Sequence, residues 1–186
     1  GGRSERVRKS VARECLDLLV EGKLDLAPAT VAQKSGISRK TLYRWWPTRT
    51  DLLRNALTFH TRRLEPPDTG TWEGDVEALA DQLAAFFGDP VERAQNSILA
   101  SGLYPEFNRF MLDYYAPIQA GWRRVVERAI ERGEVVGDVD PDAVVALVIA
   151  PLLVVTLFER REPSAKNARE LARLVLRATT PGLASA

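Results

Sequence analysis

Residues 36–46 read Gly-Ile-Ser-Arg-Lys-Thr-Leu-Tyr-Arg-Trp-Trp, which is the pattern of a tight turn followed by a short helix. Its glycine tolerates the left-handed backbone of a tight turn, and its serine is placed to cap a short helix that begins at about Arg39. Pro47 ends that helix because the residue before a proline avoids the helical region. In front of the turn, about residues 28–35 favour another short helix that opens with a first-turn proline. The pattern predicts two short helices joined by a tight turn, over about residues 27–46.

Two short helices joined in this way are typical of a helix-turn-helix, whose second helix enters the major groove of DNA. The inward side of that helix carries Leu42, and Ile37 fills the gap at the turn. Its other side is basic, and Arg and Lys side chains donate to guanine O6 and N7. The predicted base-side residues are Arg39, Lys40, Thr41 and Arg44. The alternative is a surface helical hairpin whose charges are merely solvated.

Charge is distributed unevenly along the chain. Residues 1–64 contain 14 Lys and Arg against 6 Asp and Glu, whereas the remainder contains 12 against 19. The two parts therefore carry net charges of +8 and −7, although the whole chain carries only +1. A positive front end suits a polyanion such as DNA. Chance segregation of solvated faces is the alternative explanation.

The clearest break in the chain is Pro66-Pro67-Asp68-Thr69-Gly70, which is rich in turn-forming residues. We place a domain boundary there, with a DNA-binding domain at residues 1–64 and a ligand-binding and dimerisation domain at residues 65–186.

Apolar residues recur at helical spacing through most of the chain, and no run alternates as a strand would. Pro117 predicts a kink or a break in the longest helix, and Thr48 and Asp51 have the spacing of a capping box. The predicted fold class is all-α, with an N-terminal three-helix helix-turn-helix head, a C-terminal helical bundle and about nine helices in total. Outside the helix-turn-helix, helices are expected at about 3–21, 49–64, 73–88, 91–102, 105–132, 141–160 and 164–178.

The segment from Ala143 to Val155 is apolar on every side. It is too short for a membrane span, which needs about 18 or more apolar residues. It therefore either lies deep in one subunit or packs against a second copy, as would the similar helix at 164–178. Paired with their twins, the two helices would form a four-helix interface, and a monomeric bundle is the alternative. The predicted dimer residues are Val145, Ile149, Leu152, Leu153, Leu171, Leu174 and Val175.

Aromatic residues are concentrated between residues 73 and 132, and pockets for small molecules are usually apolar with a few polar groups. We expect an unknown small molecule to bind among these helices, although any single aromatic residue is more commonly a packing residue. The candidate pocket residues are Phe86, Phe107, Phe110, Tyr114, Gln119 and Trp122.

The residues that chemistry or a metal would need are scarce. Cys15 is the only cysteine and His60 the only histidine, so a transition-metal site of Cys and His ligands is not expected. A glycine-rich phosphate loop and a Gly-x-Ser-x-Gly nucleophile elbow are absent from the sequence. We therefore expect no cofactor, no metal and no enzymatic activity. The first residues are basic rather than apolar, which favours a cytoplasmic location.

The tract at residues 36–53 resembles the signature of the TetR family of regulators, in which a Gly-Val-Ser turn precedes Thr-Leu-Tyr, an aromatic residue and Lys-x-x-Leu. The resemblance extends over residues 3–64. A weaker resemblance, to one C-terminal branch of the family, rests on the stretches at residues 128–134 and 138–141. The resemblance implies base-side roles for Arg39, Lys40 and Thr41.

Contacts with the DNA phosphates follow from the same resemblance. Arg49 stands where the family usually has Lys, and Trp45 occupies the family's aromatic position near the backbone. Ala27 replaces the Thr that often caps the first short helix, so we assign its phosphate contact to Thr30. The predicted phosphate residues are Thr30, Ser38, Tyr43, Trp45 and Arg49.

The resemblance implies a homodimer that binds a palindromic double-stranded DNA operator, with recognition helices about 34–36 Å apart. A small-molecule effector would release the DNA, so the chain is expected to be a repressor of bacterial transcription. The alternative is a helical small-molecule-binding protein or adaptor that keeps the fold without binding an operator, and an enzyme is the least favoured class.

Overall fold

A computed structural model describes residues 2–182 of the chain. This part of the chain contains nine α-helices and no strands, so the all-α prediction is confirmed. The helices are α1 (Gly2–Val20), α2 (Pro28–Ser35), α3 (Arg39–Trp45), α4 (Arg49–Thr61), α5 (Trp72–Gly88), α6 (Pro90–Ser101), α7 (Pro105–Glu131), α8 (Pro141–Leu157) and α9 (Ala165–Thr179).

Side-chain caps fix where several helices begin. At the start of α4, the Asp51 N–H donates to Thr48 Oγ1 at 3.1 Å, and the Thr48 N–H donates to Asp51 Oδ2 at 3.0 Å. This is the capping box that the sequence predicts. Ser38 Oγ accepts from the Thr41 N–H at 3.2 Å and caps α3. These caps satisfy N–H groups that have no partner within the helix.

The described chain divides into two compact units, with the division between Arg63 and Leu64. The first unit contains α1 to α4, and α1 packs against both α2 and α4. The predicted three-helix head is therefore a four-helix unit, because α4 shares its core. Its fully buried side chains include Val11, Cys15, Leu19, Val31, Leu42, Leu52 and Leu57.

The second unit contains α5 to α9, and α5 packs against each of the other four helices. Its core is built from Leu, Val, Ala and aromatic side chains of α5, α7, α8 and α9. The helix α7 runs without interruption through Pro117, so the predicted break is wrong. Pro117 lies on the exposed side of α7.

Residues 64–71, which precede α5, form hydrogen bonds and close contacts with the rest of the second unit. Thr69 donates to Asp75 Oδ1 from its N–H at 2.7 Å and from its hydroxyl at 2.9 Å. Arg128 Nη2 donates to the Pro67 carbonyl at 2.6 Å. Pro66 lies so close to Gly121 that a Cβ there would approach Pro66 Cγ at 2.7 Å. The turn-forming residues of this segment therefore specify a fixed path along α7.

The structure contradicts four of the predicted dimer residues. Val145, Leu152, Leu171 and Val175 are buried in the core of the second unit and present little surface to a partner. The apolar surface of α8 and α9 is formed instead by Leu147, Val154 and Leu174, which are 50%, 47% and 57% exposed. Of the predicted set, Leu174 is exposed, while Ile149 and Leu153 are partly buried against the core. On α8 the error arises because the helix is apolar on every side, so its sequence does not reveal which side faces inward. On α9 the helix is amphipathic, and the apolar side that carries Leu171 and Val175 is the side that faces the core.

Between residues 2 and 182, none of the helices combines the length and the apolar character that a membrane span requires.

Candidate DNA-binding face and ligand cavity

The turn between α2 and α3 sets the direction of α3. Gly36 adopts the left-handed conformation with φ 70° and ψ 23°, and the Ile37 N–H then donates back to the Ala32 carbonyl at 3.0 Å. A Cβ added at Gly36 would meet nothing within 4 Å. Glycine is therefore required at this position by the backbone conformation alone.

One side of α3 is anchored in the first unit and the other side is free. Leu42 is fully buried, and Trp46, just after the helix, is also buried. Arg39, Lys40 and Arg44 are exposed, and we call these three residues the basic face of α3. In the part of the chain that the structure describes, none of their side chains forms a hydrogen bond or a salt bridge. The basic face is thus available to an anionic partner.

The fourth predicted base-side residue, Thr41, is half-buried. Its hydroxyl lies 2.9 Å from Ser38 Oγ, so both hydroxyls take part in the cap of α3. Both hydroxyls are therefore already hydrogen-bonded without DNA, although each can form a further hydrogen bond.

The predicted phosphate residues lie on α2, on α3 and its cap, and in the first turn of α4. Tyr43 is exposed, and Arg49 is exposed in the first turn of α4. Trp45 is half-buried with its ring centroid 5.6 Å from that of Trp46. Thr30 is half-buried in the first turn of α2, where Ala27 provides no side-chain cap.

Sequence reasoning missed the position of Arg8. Its guanidinium lies 5.8 Å from the centre of the Trp45 ring, a cation–π arrangement. The Arg8 carbonyl also accepts from Asn55 Nδ2 of α4 at 3.2 Å. The basic run at the start of the chain was the available signal, but only the packing of α1 against α4 brings this charge beside α3.

The second unit contains a cavity of about 210 Å³ that is lined by residues of α5, α6, α7 and α8. Of the thirteen residues that line it, nine are apolar or aromatic, and the polar four are Glu92, Gln95, Asn96 and Gln119. Three of the predicted pocket residues, Phe86, Gln119 and Trp122, lie in its wall.

The other three predicted pocket residues, Phe107, Phe110 and Tyr114, are not among the residues that line the cavity. They lie on the adjacent side of α7, where Phe110 and Tyr114 stack with centroids 6.1 Å apart. At about 100° per residue, the cavity side of α7 carries Met111 and Tyr115 instead. The prediction selected the correct helix but a neighbouring face.

A network of hydrogen bonds lies at the polar end of the cavity. Glu92 Oε1 accepts from the Tyr115 hydroxyl at 3.0 Å and from Gln95 Nε2, and Glu92 Oε2 accepts from Asn96 Nδ2 at 3.0 Å. Burial, together with the charge of Glu92, raises the pKa of the Tyr115 hydroxyl far above its usual value. Tyr115 therefore remains a hydrogen-bond donor at every physiological pH.

Features of catalytic or metal sites are limited in the described residues. No set of three or more His, Cys, Asp or Glu side chains within residues 2–182 is grouped so as to hold a metal ion. Burial, with a smaller contribution from Glu14, raises the pKa of the Cys15 thiol to about 12. A thiol with that pKa is a poor nucleophile at neutral pH.

Comparisons with known proteins agree with this geometry. The family described as "Tetracyclin repressor-like, C-terminal domain" matches residues 66–175. The HTH-type transcriptional regulator AqdR of Rhodococcus erythropolis is 31% identical over 146 residues, which cover 77% of this chain and 70% of AqdR. The chain belongs to the TetR family of transcriptional regulators.

The similarity also includes the N-terminal unit. The HTH-type regulator YdeS of Bacillus subtilis is 24% identical over 173 residues, covering 91% of this chain and 87% of YdeS. The crystal structure of a TetR regulator from Agrobacterium tumefaciens has the same fold, with a TM-score of 0.73 at 21% identity over 96% of this chain and 97% of that one. As a TetR-family member, the protein is a DNA-binding transcriptional regulator, and its relatives are regulators rather than enzymes.

Proposed function

We propose that the protein is a homodimeric repressor that binds a palindromic operator through α3 and releases it when a small molecule occupies the cavity of the second unit. The observation that carries the proposal is the basic face of α3, which presents three exposed cations that have no hydrogen-bond or salt-bridge partner among residues 2–182, on a helix anchored by Leu42. On this proposal, Arg39, Lys40, Thr41 and Arg44 contact base edges.

Phosphate contacts around this helix would fix its register on the duplex. Tyr43 and Arg49 are exposed beside the basic face, and Thr30 lies at the N-terminus of α2, where helix N–H groups favour an anion. Trp45 is half-buried in α3 and Ser38 caps that helix, and both would contact phosphates from these positions. Arg8 adds a cation that the sequence alone did not assign to this surface.

Dimerisation would proceed through the apolar strip on α8 and α9, which we define as Leu147, Val154 and Leu174. Large apolar side chains that are half exposed on two packed helices are typical of a helical interface. A two-fold axis through this strip makes the interface isologous, and it pairs two α3 helices for an operator with matching symmetry.

The effector would act by binding more tightly to the conformation that does not fit the operator. A coupling free energy of about 1–3 kcal/mol between ligand and DNA is sufficient. Residues of four helices line the cavity, so a bound ligand would contact all four and could change how α5 to α8 pack. Such a regulator works where the bacterial chromosome is, which favours the cytoplasm.

Selection of bound duplexes from a random library tests the proposal, followed by fluorescence anisotropy with the enriched sequence. We expect a palindromic sequence whose affinity falls steeply as salt rises, because several phosphate contacts release counterions. The variant Arg39→Ala with Lys40→Ala should lose specific binding while its circular dichroism is unchanged.

The matched control is Arg109→Ala with Arg124→Ala, which removes two exposed cations from α7 in the second unit. This control should bind the selected duplex as tightly as the unmodified protein. Specific binding that survives the Arg39 and Lys40 substitutions would refute the assignment of α3.

A further inference from the structure

The cavity lined by α5, α6, α7 and α8 is small for an effector site. Its volume of about 210 Å³ is below the about 300–1,000 Å³ that is common for drug-sized ligands. A dry apolar cavity of about 150 Å³ accommodates benzene. The cavity therefore matches the size of one ring with a few substituent atoms.

The walls of the cavity favour an aromatic ring. Phe86 meets Phe87 and Tyr115 edge-to-face, with centroid distances of 5.6 and 6.4 Å. Met111 and Ile149 complete the apolar wall. Edge-to-face and offset contacts of this kind stabilise a bound ring beyond the burial of its area.

Two polar atoms in the walls have no hydrogen-bond partner within the part of the chain that the structure describes. They are the donor Trp122 Nε1 and the acceptor Gln95 Oε1. Trp122 is only 2% exposed and Gln95 only 1%. Buried polar atoms are nearly always hydrogen-bonded in native proteins, so these two atoms specify what a ligand has to offer.

The two atoms together distinguish between classes of ligand. A carboxylate would accept from Trp122 Nε1 but has no proton for Gln95 Oε1. An ammonium group would donate to Gln95 Oε1 but cannot accept from Trp122. A hydroxyl group both donates and accepts, so it matches the pair without a net charge.

The charged residues that line the cavity disfavour an anionic ligand. Among the described residues that line it there is no Lys, Arg or His, and Glu92 is the one acidic side chain. A second anion in the cavity would be repelled by this buried carboxyl group.

We propose that the effector is a small, uncharged ring compound that carries a hydroxyl group, of the phenol class. This proposal rests on the proposed function, because it assumes that the effector binds in this cavity. The ring lies between the aromatic walls, and the hydroxyl group accepts from Trp122 Nε1 and donates to Gln95 Oε1. Leu112 lines the cavity and is 68% exposed, so the ligand enters beside this residue of α7.

Isothermal titration calorimetry at neutral pH tests the proposal with four compounds of similar size. The probe is 4-ethylphenol, and the comparators are ethylbenzene without the hydroxyl group, the anion 4-methylbenzoate and the cation 4-methylbenzylammonium. We expect 4-ethylphenol to bind about tenfold more tightly than ethylbenzene, which corresponds to the hydrogen bonds of one hydroxyl group. Both ions should bind more weakly still. Equal or tighter binding of either ion, or no binding of 4-ethylphenol, would overturn the proposal.

The variant Trp122→Phe keeps an aromatic ring and removes the indole donor. It should weaken 4-ethylphenol by about fivefold to tenfold and leave ethylbenzene unchanged. An equal loss for both compounds would overturn the hydroxyl contact. The variant Leu153→Phe fills the cavity from α8 and should abolish binding of 4-ethylphenol, which decides the location of the site even if Trp122→Phe does not fold.

Affinity for the selected duplex, measured without any compound, separates this inference from the proposed function. Tight DNA binding together with a failure of 4-ethylphenol to bind refutes only the ligand class. Loss of specific DNA binding refutes the proposed function, while calorimetry still decides the chemistry of the cavity.

Discussion

The single thiol of the chain is a packing residue, because Cys15 lies fully buried between the helices of the first unit. Its pKa is raised from 9.0 to about 12, first by burial and then by the charge of Glu14. A raised pKa means that the folded state keeps a proton that the unfolded state loses. The stabilising effect is therefore complete below pH 9 and is lost as the pH rises towards about 12.

We expect the free energy of unfolding to fall by up to about 1.4 kcal/mol per pH unit across that window because of Cys15 alone. Urea denaturation as a function of pH measures this, and the variant Cys15→Ala isolates it from other groups that titrate in the same range. The variant should show a shallower decline. In the native protein, iodoacetamide should label Cys15 at least about a hundredfold more slowly than in the unfolded chain. Rapid native labelling would contradict the assignment.

A second residue-scale prediction concerns Gly36, whose φ of 70° sets the direction of α3. The variant Gly36→Ala should lose about 1 kcal/mol of stability, because the strain is in the backbone and the space around it is open. Gly137→Ala is the matched control, since a Cβ there also meets nothing within 4 Å and its φ lies outside the left-handed region. Chemical denaturation of both variants should show a change only for Gly36→Ala, and equal changes would refute this account.

At the scale of the helices, the start of α4 depends on the capping box of Thr48 and Asp51. The variant Thr48→Ala should lose about 1 kcal/mol because the Asp51 N–H is left without its side-chain partner. Thr50→Ala changes a neighbouring exposed threonine outside the capping box and should stay within about 0.5 kcal/mol of the unmodified protein. Thermal melts of the two variants measure the difference, and a similar effect of both would argue against the cap.

Most helix boundaries were predictable from sequence, because caps, turns and prolines act within a few residues. Ser38, Thr48 and Gly36 each act on groups no more than a few positions away. The break predicted at Pro117 does not occur, because α7 continues through this exposed position.

Which side of a helix faces inward depends on packing, and the sequence could not always reveal it. In α8, Val145 is buried and Leu147 is half exposed, although both are large and apolar. In α7, aromatic residues occupy two adjacent faces, and only contact with α5, α6 and α8 selects the face of Tyr115 for the cavity. The basic face of α3 was predictable because its inner residue, Leu42, is apolar and its outer residues are charged.

For the whole molecule, the uneven charge and the apolar strip support the same proposal, a dimer that binds DNA through its N-terminal parts. The part of the chain up to residue 64 carries a net charge of +8, and the remainder carries −7. A polyanion therefore attracts the N-terminal part and repels the rest. A two-fold symmetric operator is bound more tightly by two positive parts that are joined in one dimer. Because the acidic parts repel each other, the contact that joins them has to be apolar. In the dimer proposed above, the apolar strip on α8 and α9 would provide such a contact.

The variant Leu174→Glu tests this proposal, because a carboxylate at an apolar two-fold interface must be buried without a partner. We expect sedimentation velocity to show a dimer for the unmodified protein and a monomer for Leu174→Glu at the same micromolar concentration. The fold should persist, since Leu174 is 57% exposed in the single chain.

Leu103→Glu is the control, because it places the same charge at a leucine outside α8 and α9 that is 75% exposed. This variant should remain a dimer. Affinity for the selected palindrome should fall at least about a hundredfold for Leu174→Glu alone, because one α3 helix then loses the contribution of its twin. A dimer that survives Leu174→Glu would place the interface elsewhere on the chain.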